Sequence, residues 1–342
     1  MVNDLVKLNN SQKINAQSKA REDVVTTLRS LGYRVYNIIN RKYSFGKNKR
    51  YHHYPILSSF FNKKQSKKFL KQVKAGDVVF IQDFHLSYMQ YIALGCLLKK
   101  AKVVFLVHDI QCIRYDIKTN EVNQLNNSSL ILVHTQAMKE KLQQLGVIRP
   151  MKVINFFDYY SMDPIKEMDD IMSHKNEVVF AGNLSKSEFL GKLGTLDLHQ
   201  LTFNLYGVLG GLDISTMPGL SYKGIFKPAN TSAIEGGWGL VWDGDSVDTC
   251  EGVYGDYLRY NSSHKISLYL ACGLPLIVWE KSSLADIVRK QHLGLVVPNL
   301  QSVYEQIRMT TDEDYALLVA NAEAVGEKLR SGTCLKTVLS DL

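Results

Sequence analysis

The chain has 342 residues, 45% hydrophobic and 22% charged, the balance of a globular protein long enough for two domains. MVNDLVKLNN lacks the basic-then-apolar order of a signal peptide, and no apolar run approaches the roughly 18 residues of a membrane span. The net charge is +8, and five scattered cysteines (Cys96, Cys112, Cys250, Cys272, Cys334) without CxxC spacing argue for a reduced, cytoplasmic chain with no zinc site.

Ala16, Ala20, Val24, Leu28 and Leu31 recur at helical spacing, with Gly32 placed as a C-terminal cap. Strands are predicted at 34–39, 78–82, 103–108 and 130–134, separated by helices such as 87–99 and 136–145. Between the first two strands, residues 41–74 hold eleven Lys or Arg and no acid. The rest of the chain therefore carries about −3, the difference between +8 and those eleven charges. This segment, with YHHYPILSSFF between its basic runs, reads either as a solvated loop and lysine-rich helix (62–74) or as a docking surface. The docking partner would be an acidic protein, an anionic lipid or a nucleic acid.

Residues 158–176 lack a clean period and read as a linker. A second series follows, with strands at 178–181, 203–206, 239–242, 276–278 and 295–297 and a helix at 229–237. The stretch 312–329 places Tyr315, Leu318, Ala322, Val325 and Leu329 on one face of a long helix. Strands alternating with helices predict an α/β fold with parallel sheets covered on both faces. The expected organisation is an N-terminal Rossmann-like domain (1–157), the linker, a C-terminal ligand domain (177–311) and a C-terminal helix and tail (312–342). Two such doubly wound domains would face a cleft at the carboxyl ends of their strands.

Chemistry is therefore sought at strand ends. Residues 261–279, NSSHKISLYLACGLPLIVW, open a helix with His264-Lys265 and close it on Gly273. A helix start attracts anions, and a first-turn lysine opposes the same dipole, so something negative is expected there. Ala181-Gly182-Asn183-Leu184-Ser185-Lys186 follows a strand: glycine admits close backbone approach and Lys186 can reach a phosphate, although an ordinary turn has the same composition. Tyr222 suits stacking on a base or a partly buried core position. Asp243-Gly244-Asp245 suits either sugar hydroxyls or plain turn chemistry. His108-Asp109 after the third strand can orient or polarise an acceptor hydroxyl. Asp83 and His85 with His108 and Asp109 raise a metal set, without the spacing that would support it. No P-loop, GxGxxG or GxSxG motif stands at a strand-to-helix junction, which weighs against NTPase, dehydrogenase and hydrolase chemistry.

Taken together, Ser30-Leu31-Gly32-Tyr33-Arg34, Gly76-Asp77-Val78-Val79, Val107-His108-Asp109-Ile110, Phe180-Ala181-Gly182-Asn183, residues 236–242 and residues 264–278 resemble a GT-B glycosyltransferase. The order of these pieces is similar to that of the accessory glucosyltransferase-3 family, which extends O-linked N-acetylglucosamine (GlcNAc) on serine-rich-repeat adhesins of Gram-positive bacteria. The resemblance implies UDP-glucose as donor, a GlcNAc-modified adhesin as acceptor, no metal or other cofactor, and a homo-oligomer (dimer or tetramer), with no nucleic-acid partner. A UDP-GlcNAc- or UDP-galactose-using enzyme of the same fold, or a non-catalytic basic docking module, stays open. By position, Lys186 fills the place of a basic diphosphate contact and Tyr222 that of an aromatic nucleotide contact. Ser263, His264, Lys265, Ile266, Ser267 and Leu268 match the segment that cradles the diphosphate, with Lys265 as central cation. Ala16 stands where the family offers a hydroxyl, leaving Asn15 or Lys13 to compensate. At its basic position the chain has lysine in place of arginine, giving up a bidentate grip. Asp109 is the candidate acceptor-side carboxylate, with His108 beside it, and Asp243 the candidate for donor-sugar contact.

Overall fold

A computed structural model describes residues 2–6, 16–40, 55–198, 200–211, 213–214 and 217–340. By contacts these form two compact units. The first takes in strand β1 with residues 25–134 and 139–153; the second takes in 16–24, 135–138 and 154 onward. The division expected after residue 157 thus falls near 153, and two short pieces of the first half belong with the second unit.

The first unit carries β1 (Val2–Val6), β2 (Tyr36–Asn40), β3 (Val78–Ile81), β4 (Lys102–Leu106), β5 (Leu130–Val133) and β6 (Met151–Val153) in the order β2-β1-β3-β4-β5-β6. The second carries β7 (Glu177–Gly182), β8 (Thr202–Gly207), β9 (Leu220–Gly224), β10 (Trp238–Val241), β11 (Leu276–Trp279) and β12 (Gly294–Val297), ordered β9-β8-β7-β10-β11-β12. Every ladder is parallel. Each unit is a doubly wound α/β sheet, and the molecule has the GT-B architecture of two Rossmann-like domains. In the second sheet the chain winds outward from β7 to β9, then restarts on the other side at β10. The gap between the carboxyl ends of β7 and β10 is therefore the switch point where such sheets bind ligands.

The nine strands expected from apolar runs all form, shifted by a few residues at their ends. β4, β5, β10 and β11 are buried almost throughout because helices cover both faces. β1, β6 and β9 carry no such signal: β6 is three residues long, and β9 lies exposed or half-buried at a sheet edge. The helix expected at 229–237 does not form. Only a single 3-10 turn, Thr231–Ala233, is present. Gly236 holds a φ of 152° and approaches Val179, and Gly237 lies against the His174 carbonyl, so the segment runs tightly into β10 instead of coiling. Leu31, placed on the apolar face of the first helix, is 43% exposed because Ala16–Ser30 ends one residue before it.

The supposed linker is part of the second unit. Its helix Met168–Ser173 buries Ile171, and Lys175 Nζ donates to Thr310 O and Asp312 Oδ1, both at 2.7 Å. Helix Asp312–Arg330 is docked into the same unit. Tyr315 donates to the Gly237 carbonyl at 2.6 Å, and Arg330 Nη1 to Ala271 O at 2.8 Å.

Helix His264–Ala271 is the element that matters for chemistry, and glycine lets it sit close to the sheet. A Cβ on Gly239 would stand 2.1 Å from Tyr269 Cγ, so the fully buried Tyr269 ring packs directly against β10 only because that side chain is missing. The Tyr269 hydroxyl accepts the Ala181 N–H of β7 at 2.9 Å. Tyr269 thus fixes the helix against both strands of the switch point. Gly239→Ala is expected to cost about 2–3 kcal/mol through overpacking, read as a lower urea midpoint with an unchanged m-value.

Candidate functional site

In the second unit, Gly182 ends β7, Gly207 ends β8 beside it, and Asp243 lies two residues beyond β10. The helix starting at His264 brings Lys265 to the same place. Ser263 caps this helix, its hydroxyl accepting the Lys265 N–H at 3.4 Å. Lys265 Nζ donates to both Asp243 oxygens, at 2.8 and 2.9 Å, and lies 5.0 Å above the Phe180 ring. A Cβ on Gly182 would meet Lys265 Cε at 3.3 Å, so the glycine clears the path of the lysine across the strand end. The negative partner expected for Lys265 is thus present inside the protein as Asp243. The lysine is 15% and the carboxylate 25% exposed, so solvent and an incoming anion can both reach the pair.

The neighbouring strand ends complete the group. Asn183 leads into a 3-10 turn, Leu184–Lys186, with its side-chain oxygen held by the Ser185 hydroxyl at 2.6 Å. Lys186 reaches out to lie 5.4 Å over the Tyr254 ring. Tyr222, 41% exposed, donates its hydroxyl to Gly207 O at 2.9 Å and so presents its ring at the end of β8. At Gly207, with φ of 140°, a Cβ would fall 1.8 Å from the Gly182 carbonyl, which no other residue tolerates.

The first helical turn plays a narrower part than its sequence suggests. Ile266, Ser267 and Leu268 are buried, so any role of theirs in ligand contact runs through the backbone. The His264 ring packs on Phe157 with centroids 4.5 Å apart. Ala16 opens the first helix, and Asn15 and Lys13 lie outside the described residues. The turn after β10 is also structural: Gly244 has φ of 108° and abuts the Glu251 carbonyl, while Trp242 Nε1 donates to Ser246 O at 2.9 Å.

In the first unit, His108 Nε2 meets the buried Gln82 Oε1 at 2.7 Å, and Asp109 is ion-paired with Arg114. Asp109 is a carboxylate held in place, 40% exposed. His134 is fully buried with Nε2 2.9 Å from Val107 O, and burial pushes it down to about 4, which keeps it out of proton transfer near neutrality. Among the described residues, Asp83, His85, His108 and Asp109 include no three side chains gathered for a metal. Of the basic segment, residues 41–54 lie outside the described residues. Lys63, Lys64, Lys67, Lys68, Lys71 and Lys74 are all exposed, while Asn62, Ser66, Phe69 and Val73 face inward. No described helix is long and apolar enough to cross a membrane.

Two family models cover nearly all of the chain: the glucosyltransferase 3-like N-terminal domain over residues 3–156, and the glucosyltransferase 3-like C-terminal domain over 178–342. The chain belongs to the glucosyltransferase 3-like family. A curated relative, the beta-1,6-galactofuranosyltransferase WbbI of Escherichia coli (strain K12), is 31% identical over 72% of each chain. Glucosyltransferase 3 of Streptococcus parasanguinis is 22% identical over 70% of this chain and 69% of its own. Among solved structures, the sucrose-phosphate synthase of Thermosynechococcus elongatus superposes with a TM-score of 0.64 at 11% identity, covering 98% of this chain and 96% of that one. That likeness is one of fold, the GT-B fold. This glucosyltransferase 3-like chain is a glycosyltransferase of the hexosyltransferase class.

Tyr269 is the supporting residue that sequence reasoning missed. Its signal was present as an aromatic four residues after Lys265 and a glycine in the facing strand, but only the fold pairs the two.

Proposed function

We propose that the enzyme transfers a hexose from a UDP-sugar to a glycan acceptor, with lysines neutralising the departing diphosphate where other transferases use a divalent cation. The observation that carries this is Lys265 Nζ, held by Asp243 at the start of a helix at the β7–β10 switch point. A diphosphate arriving there exchanges one anionic partner of Lys265 for another of greater charge, and the exposed Lys186 can swing to it from the β7 turn. Charge that develops on the leaving group then meets donors already in place, the economical form of transition-state stabilisation. Tyr222 supplies a face for the base, and Asp243, once relieved of Lys265, an acceptor for sugar hydroxyls. Asp109 and His108 are the proposed acceptor-side pair.

Two donor sugars have support. The family name and the streptococcal relatives favour glucose, and the acceptor we propose with it is O-linked GlcNAc on a serine-rich-repeat adhesin. The more similar relative favours galactofuranose. A panel of UDP-glucose, UDP-galactofuranose, UDP-galactose and UDP-GlcNAc, each with a GlcNAc-bearing peptide and with or without EDTA, separates them. Transfer from one donor, undiminished by EDTA, is expected. Transfer that stops with EDTA would sink the lysine-based reading, and the absence of turnover with every UDP-sugar would sink the donor assignment. A cytoplasmic location accords with the five free cysteines, four of them buried.

A further inference from the structure

The first unit contains a hollow of about 250 Å³ lined by Ser87, Gln90, Asn120, Asn123, Gln124 and Asn127. Five amides and a hydroxyl, with no ionisable group, form an unusual wall. The orientation of the amides follows from the backbone. The carbonyls of Phe84 and His85, just past β3, can only accept hydrogen bonds. Gln90 Nε2 donates to Phe84 O at 2.6 Å and Gln124 Nε2 to His85 O at 3.2 Å. With its nitrogen so engaged, Gln90 presents Oε1, which takes Asn127 Nδ2 at 2.9 Å. Asn123 Nδ2 donates to Asn120 Oδ1, also at 2.9 Å. Four of the five amides thereby spend one N–H within the protein and keep the second. The Oδ1 of Asn123 and Asn127, the Oε1 of Gln124, the Nδ2 of Asn120 and the Ser87 hydroxyl have no hydrogen-bond partner among the described residues.

Such a wall offers both donors and acceptors and holds no charge. Neither an anion nor a bare cation would find a countercharge there. A ligand that brings several hydroxyls, each both donor and acceptor, and no net charge, matches it. The volume lies below the roughly 300–1,000 Å³ of drug-sized pockets and suits a single sugar ring.

The wall is also tied to the candidate acceptor-side carboxylate. Asn123 and Gln124 sit on helix Glu121–Leu125, and the Glu121 carboxylate accepts the N–H groups of Gln111 and Cys112 at 3.0 and 2.8 Å. Those residues open helix Gln111–Arg114, whose Arg114 grips Asp109. Glu121 is thus spent on the frame, which keeps the hollow neutral and fixes it relative to Asp109.

We propose that this hollow is a saccharide subsite that holds one neutral hexosyl unit of the acceptor glycan. Binding of a neutral sugar stands by itself, and its assignment to the acceptor rests on the transferase reading above.

Saturation-transfer NMR with methyl β-glucoside, methyl β-galactoside and GlcNAc on the full chain tests it, with UDP binding followed in parallel. At least one of the three is expected to show saturation transfer. Asn123→Ala, which loses only the Asn120 pairing inside the protein, should weaken that binding about tenfold, as should Gln124→Leu. Both variants should bind UDP as the wild type does, with acceptor KM raised and donor KM unchanged. Sugar binding that survives both substitutions, or no saturation transfer from any of the three, overturns the subsite. UDP binding that fails while sugar binding persists would overturn the donor site and leave this one standing.

Discussion

UDP is expected to raise the thermal midpoint of the wild-type enzyme without added metal and to leave that of Lys265→Ala almost unmoved. Binding to the native state alone stabilises by RT ln(1 + [L]/Kd), so losing the central cation removes the shift in proportion to lost affinity. Sugar transfer should fall about a hundred- to a thousandfold, the usual consequence of deleting one preorganised donor to developing negative charge. Removing Lys265 also leaves Asp243 facing the incoming diphosphate with no countercharge. Asp243→Asn separates these contributions. The neutral amide no longer competes for the lysine, so UDP should bind more tightly, while transfer declines if Asp243 serves the sugar. A Lys265→Ala enzyme with an undiminished UDP shift would show that the diphosphate sits elsewhere.

The second large effect lies in a buried ion pair of the second unit. Lys19 and Asp23, 8% and 4% exposed, bind each other one turn apart on the first helix. Lys19 also donates to Tyr160 O at 2.7 Å and lies 4.6 Å over the Tyr159 ring. Burial pushes the Asp23 carboxyl up to about 6 and Lys19 down, and their mutual attraction opposes both shifts. Lys19→Met should destabilise by about 3–5 kcal/mol, since it strands the buried Asp23 carboxyl, whereas Asp23→Asn should be the milder change, because the folded state already favours a neutral side chain there. The double variant Lys19→Met/Asp23→Leu should lie near the wild type, because two desolvated charges are replaced by apolar contacts. The pH dependence has a definite sign. A carboxyl whose folded pKa is raised contributes most below its unfolded value, 3.8, and loses that contribution as pH rises through about 6. Wild-type stability relative to the double variant should therefore decline across that window. Urea titrations at several pH values measure it. A Lys19→Met variant as mild as the double would show that the pair carries no stranded-charge penalty.

Much of the architecture was legible because a strand covered on both faces must be apolar throughout. The runs at 78–81, 103–106, 130–133, 238–241 and 276–279 declare themselves in this way. Edge strands escape the rule: β9, reading LSYKG, faces solvent and looks like a turn. The helix expected at 229–237 failed for the opposite reason, since local composition permitted a helix that close packing at Gly236 and Gly237 forbids.

The sequence by itself determined that two parallel α/β sheets would form, and that cations and glycines would stand at the carboxyl ends of the second. Those features follow from solvent exclusion and backbone sterics, which act locally and leave a pattern in the chain. Only the tertiary structure decided what those residues do to one another. Lys265 meets Asp243 twenty-two positions away, Tyr269 seats its helix through Gly239, Tyr222 hangs on the carbonyl of Gly207, and Ser87 and Gln90 share one hollow with the amides of residues 120–127. Partnership across a sheet depends on strand order. Strand order is set by which packing buries the most apolar surface, a property of the whole chain that no short window contains.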